Sequence, residues 1–172
     1  MIDNGSKDNS LEMIRKYAKK EIIPTSEFYN HIPNKEPINI IEYTREEMDA
    51  TLDNDKESEI KDIDSNKKMV LIKSEKNYGF PEGCNIGMRY ALKKGIKHFL
   101  LLNNDTVMDK KFLTELMNIS TSDDQIGIVG SKILYYYHPD VIQARSFLDK
   151  QLLGEVLVSI YEDCSYPHGL SS

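Results

Sequence analysis

Three apolar runs of strand length, separated by helical patterns, constrain the fold of this chain more than any other feature. They are "MVLIKS" at 69–74, "HFLLL" at 98–102 and "IGIVGSKILYYY" at 126–137. Strands that alternate with helices favour parallel pairing, because a helix returns the chain to the starting end of the sheet. The pattern predicts an α/β fold with a Rossmann-like, mostly parallel sheet flanked by helices.

Helical spacing and end signals locate the other elements. We expect a first helix over "LEMIRKYAKKEII", capped by Asn9 or Ser10, and a helix through "MRYALKKG" that ends at Gly95. Between them lie a strand "INIIEY" and a short helix opened by a capping box from Thr44 to Glu47. A further helix, "DKKFLTELMNI", is expected to turn inward Phe112, Leu113, Leu116 and Met117. After Pro139 the pattern allows one helix and one strand.

Length and charge bound the class of protein. A chain of 172 residues suits one domain, 1–172, and its net charge of −6 argues against binding to duplex nucleic acid. No apolar run is long enough to span a bilayer and no secretory signal is evident, so we expect a cytoplasmic protein without a transmembrane segment. Cys84 and Cys164 lack the spacing of a zinc or redox motif and are interpreted as reduced thiols.

The polar stretch Asn103-Asn104-Asp105 follows the run at 98–102 and has two interpretations. It can turn the chain, with Asp109 capping the next helix. Alternatively, Asp105 can bind Mg²⁺ or Mn²⁺, since a single carboxylate suffices when a substrate brings a diphosphate. The sequence leaves both interpretations open.

Two further stretches are candidates for a site at the carboxyl ends of parallel strands, where ligands bind in such sheets. Asp3 can form an Asx-type turn, or it can accept hydrogen bonds from a nucleobase or ribose while Gly5 and Ser6 allow close approach. In "NYGFPEGCNIG", Asn77 and Asn85 can bind a nucleotide, or the glycines can serve only a tight strand-to-helix connection.

Taken in order, "DNGSKDNS", "NYGFPEGCNIG" and "LLLNNDT" resemble the family 2 glycosyltransferases of GT-A fold. The closest likeness is to the branch that includes rhamnosyltransferase-like enzymes of cell-surface polysaccharide synthesis, and it covers residues 1–23 and roughly 68–143. The resemblance implies a GT-A-like fold and metal-dependent transfer of a sugar, with inversion. The donor would be a nucleoside diphosphate sugar, the acceptor a saccharide or a lipid-linked molecule, and the metal Mg²⁺ or Mn²⁺.

The resemblance also implies roles for individual residues. Asp3 matches the acid that contacts the nucleobase, Asn103 matches the first residue of the D-x-D motif, near the ribose, and Asp105 matches the metal ligand that ends this motif. Asp163 of "YEDCSY" matches the catalytic base, although an exposed acidic pair near a terminus is the alternative. The remaining residues implied to bind the donor are Asn4, Gly5, Ser6, Asn77, Gly79, Phe80, Gly83, Asn85 and Asn104.

Departures from the family pattern give further expectations. The family has a strand and a helix before "DNGS", which we expect to be absent here, leaving an open sheet edge across which a homodimer can form. Residues 24–67 are expected to be a partly mobile insertion, and residues 144–172 a curtailed acceptor-side region. The second hypothesis is therefore a non-catalytic GT-A-like remnant or a nucleotide-sugar-binding module.

Overall fold

A computed structural model describes residues 1–25, 36–50, 55–58, 61–144 and 153–162 of the chain. The chain divides into two compact units, Met1–Leu101 and Leu102–Ser172, and each is described by itself. No helix in the described ranges is long and apolar enough to cross a membrane. The fold is mixed α/β.

The first unit contains three strands and their flanking helices. A parallel sheet was expected here, and the strand predicted at "INIIEY" and the strand predicted at "MVLIKS" are both confirmed. The strands are β1 (Ile2–Asp3), β2 (Asn39–Thr44) and β3 (Lys68–Lys73). The helices are α1 (Ser10–Ala18), α2 (Arg45–Ala50), α3 (Asp55–Ser58), a 3₁₀ turn (Ser65–Lys67) and α4 (Phe80–Lys93).

The sheet of the first unit is parallel throughout, in the order β1-β3-β2. Strand β2 pairs with β3 along its whole length, and Thr44 lies opposite Lys73. On the other side of β3, Asp3 also lies opposite Lys73. All three strands therefore end at one edge of the sheet, and the loops that follow them begin there.

The main core cluster of the first unit packs around β2 and β3, and Leu71 of β3 and Ala18 of α1 are buried outside this cluster. Its buried residues come from both strands and helices, and Ile2, Val70 and Tyr90 pack against them. These buried residues are Ile41, Tyr43, Met48, Ile72 and Ile86. The first three belong to the segment 24–67 that we interpreted as an insertion, so part of that segment supplies the core of this unit.

Helix α1 ends earlier than the sequence predicted. We expected it to continue beyond Lys20, but it ends at Ala18 because Lys20 adopts a left-handed backbone conformation, with φ of 64°. The Lys20 N–H donates to the Tyr17 carbonyl (3.0 Å) and the Glu21 N–H to the Lys16 carbonyl (2.8 Å). These two bonds form a Schellman motif, which satisfies the last carbonyls of the helix without a glycine.

The amino end of α1 is also arranged differently from the prediction. Asn9 occupies the N-cap position, but its side chain makes no capping hydrogen bond. The carboxylate of Asp8 instead accepts a hydrogen bond from the Ser10 N–H at 3.0 Å. A carboxylate at this end also interacts favourably with the helix dipole.

Two other predicted helix ends are confirmed. Gly95 has φ of 69° and its N–H donates to the Leu92 carbonyl at 2.9 Å, which ends α4 in a second Schellman motif. At the start of α2 the capping box is reciprocal. The Glu47 N–H donates to the Thr44 hydroxyl (3.2 Å), and the Thr44 N–H donates to the Glu47 carboxylate (2.8 Å).

Glu42, on β2, forms an ion-pair network with Arg15 and Lys73. Arg15 donates to both of its carboxylate oxygens, at 2.6 and 2.8 Å, and Lys73 lies 2.7 Å from one of them. The hydrogen bond from Arg15, together with that from Lys73, lowers the pKa of Glu42 to about 2. The network ties α1 to β2 and β3.

The second unit contains a mixed sheet rather than a continuation of the parallel one. Its strand order is β4-β7-β5-β6, with β5 parallel to β7 and the other two pairs antiparallel. The elements are β4 (Thr106–Met108), α5 (Phe112–Ser120), β5 (Ile128–Tyr135), β6 (Ile142–Ala144) and β7 (Leu153–Glu162). The strand predicted at "IGIVGSKILYYY" is confirmed as β5. Among the residues that the structure describes after Pro139, there are two strands rather than one.

Two predictions in and near this unit are wrong. The run 98–102 forms no strand, and its apolar side chains from Phe99 to Leu102 are exposed. Leu113 is 56% exposed. Helix α5 buries only the stripe that includes Phe112 and Leu116, which lies against β5, and Leu113 falls beside that stripe.

The left-handed backbone conformation of Lys20 leads to a prediction about stability. Lys20→Gly should raise the free energy of unfolding by about 0.5 to 1 kcal/mol, since a side chain in this conformation costs roughly 1–2 kcal/mol and the extra freedom of an unfolded glycine offsets part of the gain. Lys19→Gly is the control, because Lys19 is right-handed and its replacement should destabilise. Urea unfolding of both variants measures the difference, and an equal loss in both would contradict the assignment.

The Glu42 network predicts how stability depends on pH. Because the pKa of Glu42 falls from 4.5 to about 2 on folding, its contribution is complete above pH 4.5 and is lost as the pH falls toward 2. Glu42→Gln should lower the free energy of unfolding by about 1 kcal/mol at pH 7 and weaken its dependence on pH between 4.5 and 2.

A matched exposed carboxylate serves as the control for Glu42. Glu36 pairs with Lys67 at 2.7 Å, but its side chain is 61% exposed. Glu36→Gln should leave the free energy of unfolding at pH 7 almost unchanged, because exposed pairs are screened by water. Urea unfolding at pH 7, 4 and 3 compares the two variants. An equal change in the free energy of unfolding in both would contradict the stabilising role of the Glu42 network.

Candidate functional site

The candidate site of the first unit begins at Asp3, the last residue of β1. Asp3 is 7% exposed, and its backbone carbonyl accepts the N–H of Ser74 at 2.9 Å. Its carboxylate oxygen lies 3.4 Å from the Ser6 nitrogen, which is a long hydrogen bond across the turn. The turn interpretation of "DNGS" is therefore seen in the structure, and the carboxylate lies at the carboxyl edge of the sheet.

Asn4 binds this turn to the loop that follows β3. Its amide nitrogen donates to the Asn77 side-chain oxygen and to the Gly79 carbonyl, both at 3.0 Å, and its side-chain oxygen accepts the Tyr78 N–H at 3.1 Å. The Asn77 oxygen also accepts the Gly79 N–H at 2.8 Å. Two motifs that lie more than 70 positions apart in the sequence are thus one hydrogen-bonded structure.

Gly5 allows these two loops to meet. It has φ of 83°, and a Cβ atom at this position would lie 2.4 Å from the Lys76 carbonyl carbon and 2.6 Å from the Asn77 nitrogen. No side chain fits between backbones at that distance. The close approach that we inferred for Gly5 therefore serves the contact between the two loops.

Two glycines of the second motif let α4 pack against β1. A Cβ atom at Gly83 would lie 3.2 Å from the Asn4 amide, and one at Gly87 would lie 3.3 Å from the Ile2 side chain. This is the tight strand-to-helix connection that was one of our two interpretations. In contrast, Phe80, the first residue of α4, is 69% exposed, and Asn77, which precedes it in the same loop, is also exposed.

The first turn of α4 carries a charged group that the motif did not suggest. Arg45 and Arg89 both donate to one oxygen of Glu82, at 2.7 and 2.8 Å. The hydrogen bond from Arg89 and the positive charges of both arginines hold the pKa of Glu82 below its usual value. Asn85, a predicted donor-binding residue, is exposed and hydrogen-bonds to Glu82.

The stretch Asn103-Asn104-Asp105 belongs to the second unit. It precedes the short strand β4 rather than ending a parallel strand, and the Thr106 hydroxyl donates to the Asn103 carbonyl at 2.8 Å. The stretch is a turn, and the Asp105 carboxylate is exposed on it. Carboxylate and amide oxygens are suitable ligands for Mg²⁺ or Mn²⁺, so the residue types present fit such an ion when a substrate supplies further oxygens.

Two other expectations concern acidic residues. Asp163, the candidate base, lies outside the described residues. Within the described part of the chain, no group of three or more His, Cys, Asp or Glu side chains is arranged to hold a metal ion. Asp109 does not cap α5 with its side chain at the N-cap, which is Lys111, but accepts the Lys111 N–H at 2.7 Å in a turn before the helix.

Sequence reasoning missed two residues at the carboxyl edge of the first sheet. The Ser74 hydroxyl is buried and has no hydrogen-bond partner among the described residues. Arg45 contacts Tyr78, with its guanidinium carbon 4.2 Å from the ring centroid. The sequence feature that could have placed Arg45 at the site is its position directly after β2, because residues at the carboxyl ends of parallel strands share one edge of the sheet.

Comparisons of the chain with models of protein families, with curated proteins and with solved structures give no significant match. The site is therefore interpreted from its own geometry.

Gly5 and Gly95 form a matched pair for testing the contact between the loops. Both have positive φ, but a Cβ atom at Gly95 meets nothing within 4 Å. Gly95→Ala should cost about 1 kcal/mol of backbone strain, whereas Gly5→Ala adds a clash with backbone and should cost on the order of 3 kcal/mol or more. Thermal and urea unfolding measure both, and equal costs would contradict the close approach at Gly5.

Proposed function

We propose that this protein is a cytoplasmic, metal-dependent glycosyltransferase with a GT-A-like fold. It moves a sugar from a nucleoside diphosphate sugar to a saccharide or lipid-linked acceptor, with inversion at the anomeric carbon. The observation that supports this best is the bridge between "DNGS" and "NYGF", made by Asn4 and Asn77 at the carboxyl edge of a parallel sheet. Ligands of open α/β sheets bind at this edge.

In this proposal the first unit binds the nucleotide. Asp3 accepts a hydrogen bond from the nucleobase, and the loop from Asn77 to Phe80 lines the pocket. Phe80 supports the assignment, since a phenylalanine that is 69% exposed suits stacking against a planar ring. The amides of Asn4 and Asn77 hold the two loops rather than the ligand.

The proposal assigns the divalent metal to Asp105. Asp105 would hold Mg²⁺ or Mn²⁺, which neutralises the negative charge that develops on the diphosphate. Asn103 and Asn104 contribute oxygens beside it. Because Asp105 is exposed, its carboxylate is accessible to a substrate that carries phosphate groups.

The transfer itself is a displacement at the anomeric carbon. The acceptor hydroxyl loses its proton to a carboxylate base and attacks this carbon, while the bond to the diphosphate oxygen breaks and the nucleoside diphosphate leaves. We propose Asp163 as the base. Asp163→Asn should then abolish transfer but leave nucleotide binding intact.

Calorimetric titration of UDP, GDP and dTDP, with and without Mn²⁺, tests the binding part of the proposal. We expect one of them to bind with a dependence on Mn²⁺, and Asp105→Ala to weaken that binding at least ten-fold, because it removes a charged ligand of the metal. Asp124→Ala is the control, since it removes an exposed aspartate from the same unit. Binding that Asp105→Ala leaves unchanged would contradict the metal role.

A second assay, for release of the nucleoside diphosphate from the donor sugar, separates this proposal from the alternative. A non-catalytic nucleotide-sugar-binding module would bind a nucleoside diphosphate but would neither transfer nor hydrolyse the sugar. Release of the nucleoside diphosphate from donor sugars, measured with the wild type and with Asp163→Asn, distinguishes the two. Release that Asp163→Asn leaves unchanged would remove Asp163 as the base.

A further inference from the structure

Arg45 connects the start of α2 to the loop between β3 and α4. Its guanidinium carbon lies 4.2 Å from the centroid of the Tyr78 ring, a distance typical of a cation–π contact. The same guanidinium donates to Glu82 at 2.7 Å, and its Nε lies 3.9 Å from a carboxylate oxygen of Asp49. One side chain therefore contacts both the loop and the first turn of the helix that follows it.

Tyr78 is held at both its backbone and its ring. Its N–H donates to the Asn4 side chain at 3.1 Å, and its ring contacts both Arg45 and the Lys76 ammonium group, which is 5.2 Å from the ring centroid. The residues on either side of Tyr78 are Asn77 and Gly79, which the proposed donor pocket uses. Fixing the Tyr78 ring therefore restricts the backbone of the pocket.

Glu82 orients the guanidinium over the ring. It receives hydrogen bonds from both Arg45 and Arg89 on a single oxygen, and both arginines are partly exposed. A lysine in place of Arg45 could keep the ion pair with Glu82, but it would lose the planar group that lies over Tyr78. Replacement by lysine therefore separates the ring contact from the charge.

We infer that Arg45 is a positioning residue for nucleotide binding. By holding Tyr78 it keeps the loop 77–80 in the conformation that binds the nucleotide end of the donor, and this role rests on the proposed function. Arg45 lies in the segment 24–67, outside both stretches that resemble the glycosyltransferases, so that segment takes part in the site.

Hydrogen exchange and nucleotide titration of Arg45→Lys test this inference together. We expect the amides of Tyr78 and Gly79 to exchange at least ten-fold faster in Arg45→Lys, and the affinity for the nucleoside diphosphate that the wild type binds to fall at least ten-fold. Arg89→Lys is the matched control, because it alters the same Glu82 oxygen and leaves Arg45 on the ring. It should change neither quantity by more than two-fold.

Substitutions of Tyr78 test the contact between Arg45 and the Tyr78 ring through its second residue. Tyr78→Phe keeps the ring and should behave as the wild type, whereas Tyr78→Leu removes the ring and should match Arg45→Lys. The double variant Arg45→Lys/Tyr78→Leu should lose little more nucleotide affinity than either single variant, because both changes remove the same contact. If the losses of affinity of the two single variants add up in the double variant, the inference is overturned.

The outcomes distinguish the inference from the proposed function. Faster exchange in Arg45→Lys with unchanged nucleotide affinity overturns the role of Arg45 while the proposed function stands. Unchanged amide hydrogen exchange at Tyr78 and Gly79 in Arg45→Lys overturns the role of Arg45 as well. If the wild type binds none of UDP, GDP and dTDP with Mn²⁺, the proposed function fails and the nucleotide role of Arg45 fails with it, whatever the exchange rates show.

Discussion

The parallel pairing of β3 with both of its neighbours is the constraint on which the first unit depends. Strand β3 hydrogen-bonds to β1 on one side and to β2 on the other, and in both pairs the partner of Lys73 is the last residue of the neighbouring strand. The register therefore brings three loops to one edge. Because residues of β2 also fill the core, the same pairing fixes the hydrophobic packing and the position of the site.

The loops at this edge are held by few groups, and each has a distinct physical role. Gly5 permits the approach of two backbones, Asn4 satisfies the polar groups that this approach would otherwise leave unpaired, and Arg45 fixes the Tyr78 ring. The bridge made by Asn4 and the close approach at Gly5 therefore join the same two loops.

Local signals in the sequence predicted part of this structure well. The capping box at Thr44, the left-handed Gly95 and the strands β2, β3 and β5 were all expected, because each depends on neighbouring residues in the chain. The failures share a different cause. The run 98–102 has a strand-like sequence, but a strand also requires a partner strand, and in the described residues this run pairs with none. No local pattern contains that information.

The sequence by itself determined the class of fold and the composition of the candidate site. Alternating patterns predicted an α/β protein, and the motifs "DNGS", "NYGF" and "NND" identified Asp3, Asn77 and Asp105. The tertiary structure decided what these residues contact. It showed that the Asn4 and Asn77 amides hold each other, that Asp105 lies on a turn before an antiparallel strand, and that Arg45 contacts the second motif. The contacts of Asn4 with Asn77 and of Arg45 with Tyr78 join residues far apart in the chain, and the register of the strands brings these residues together.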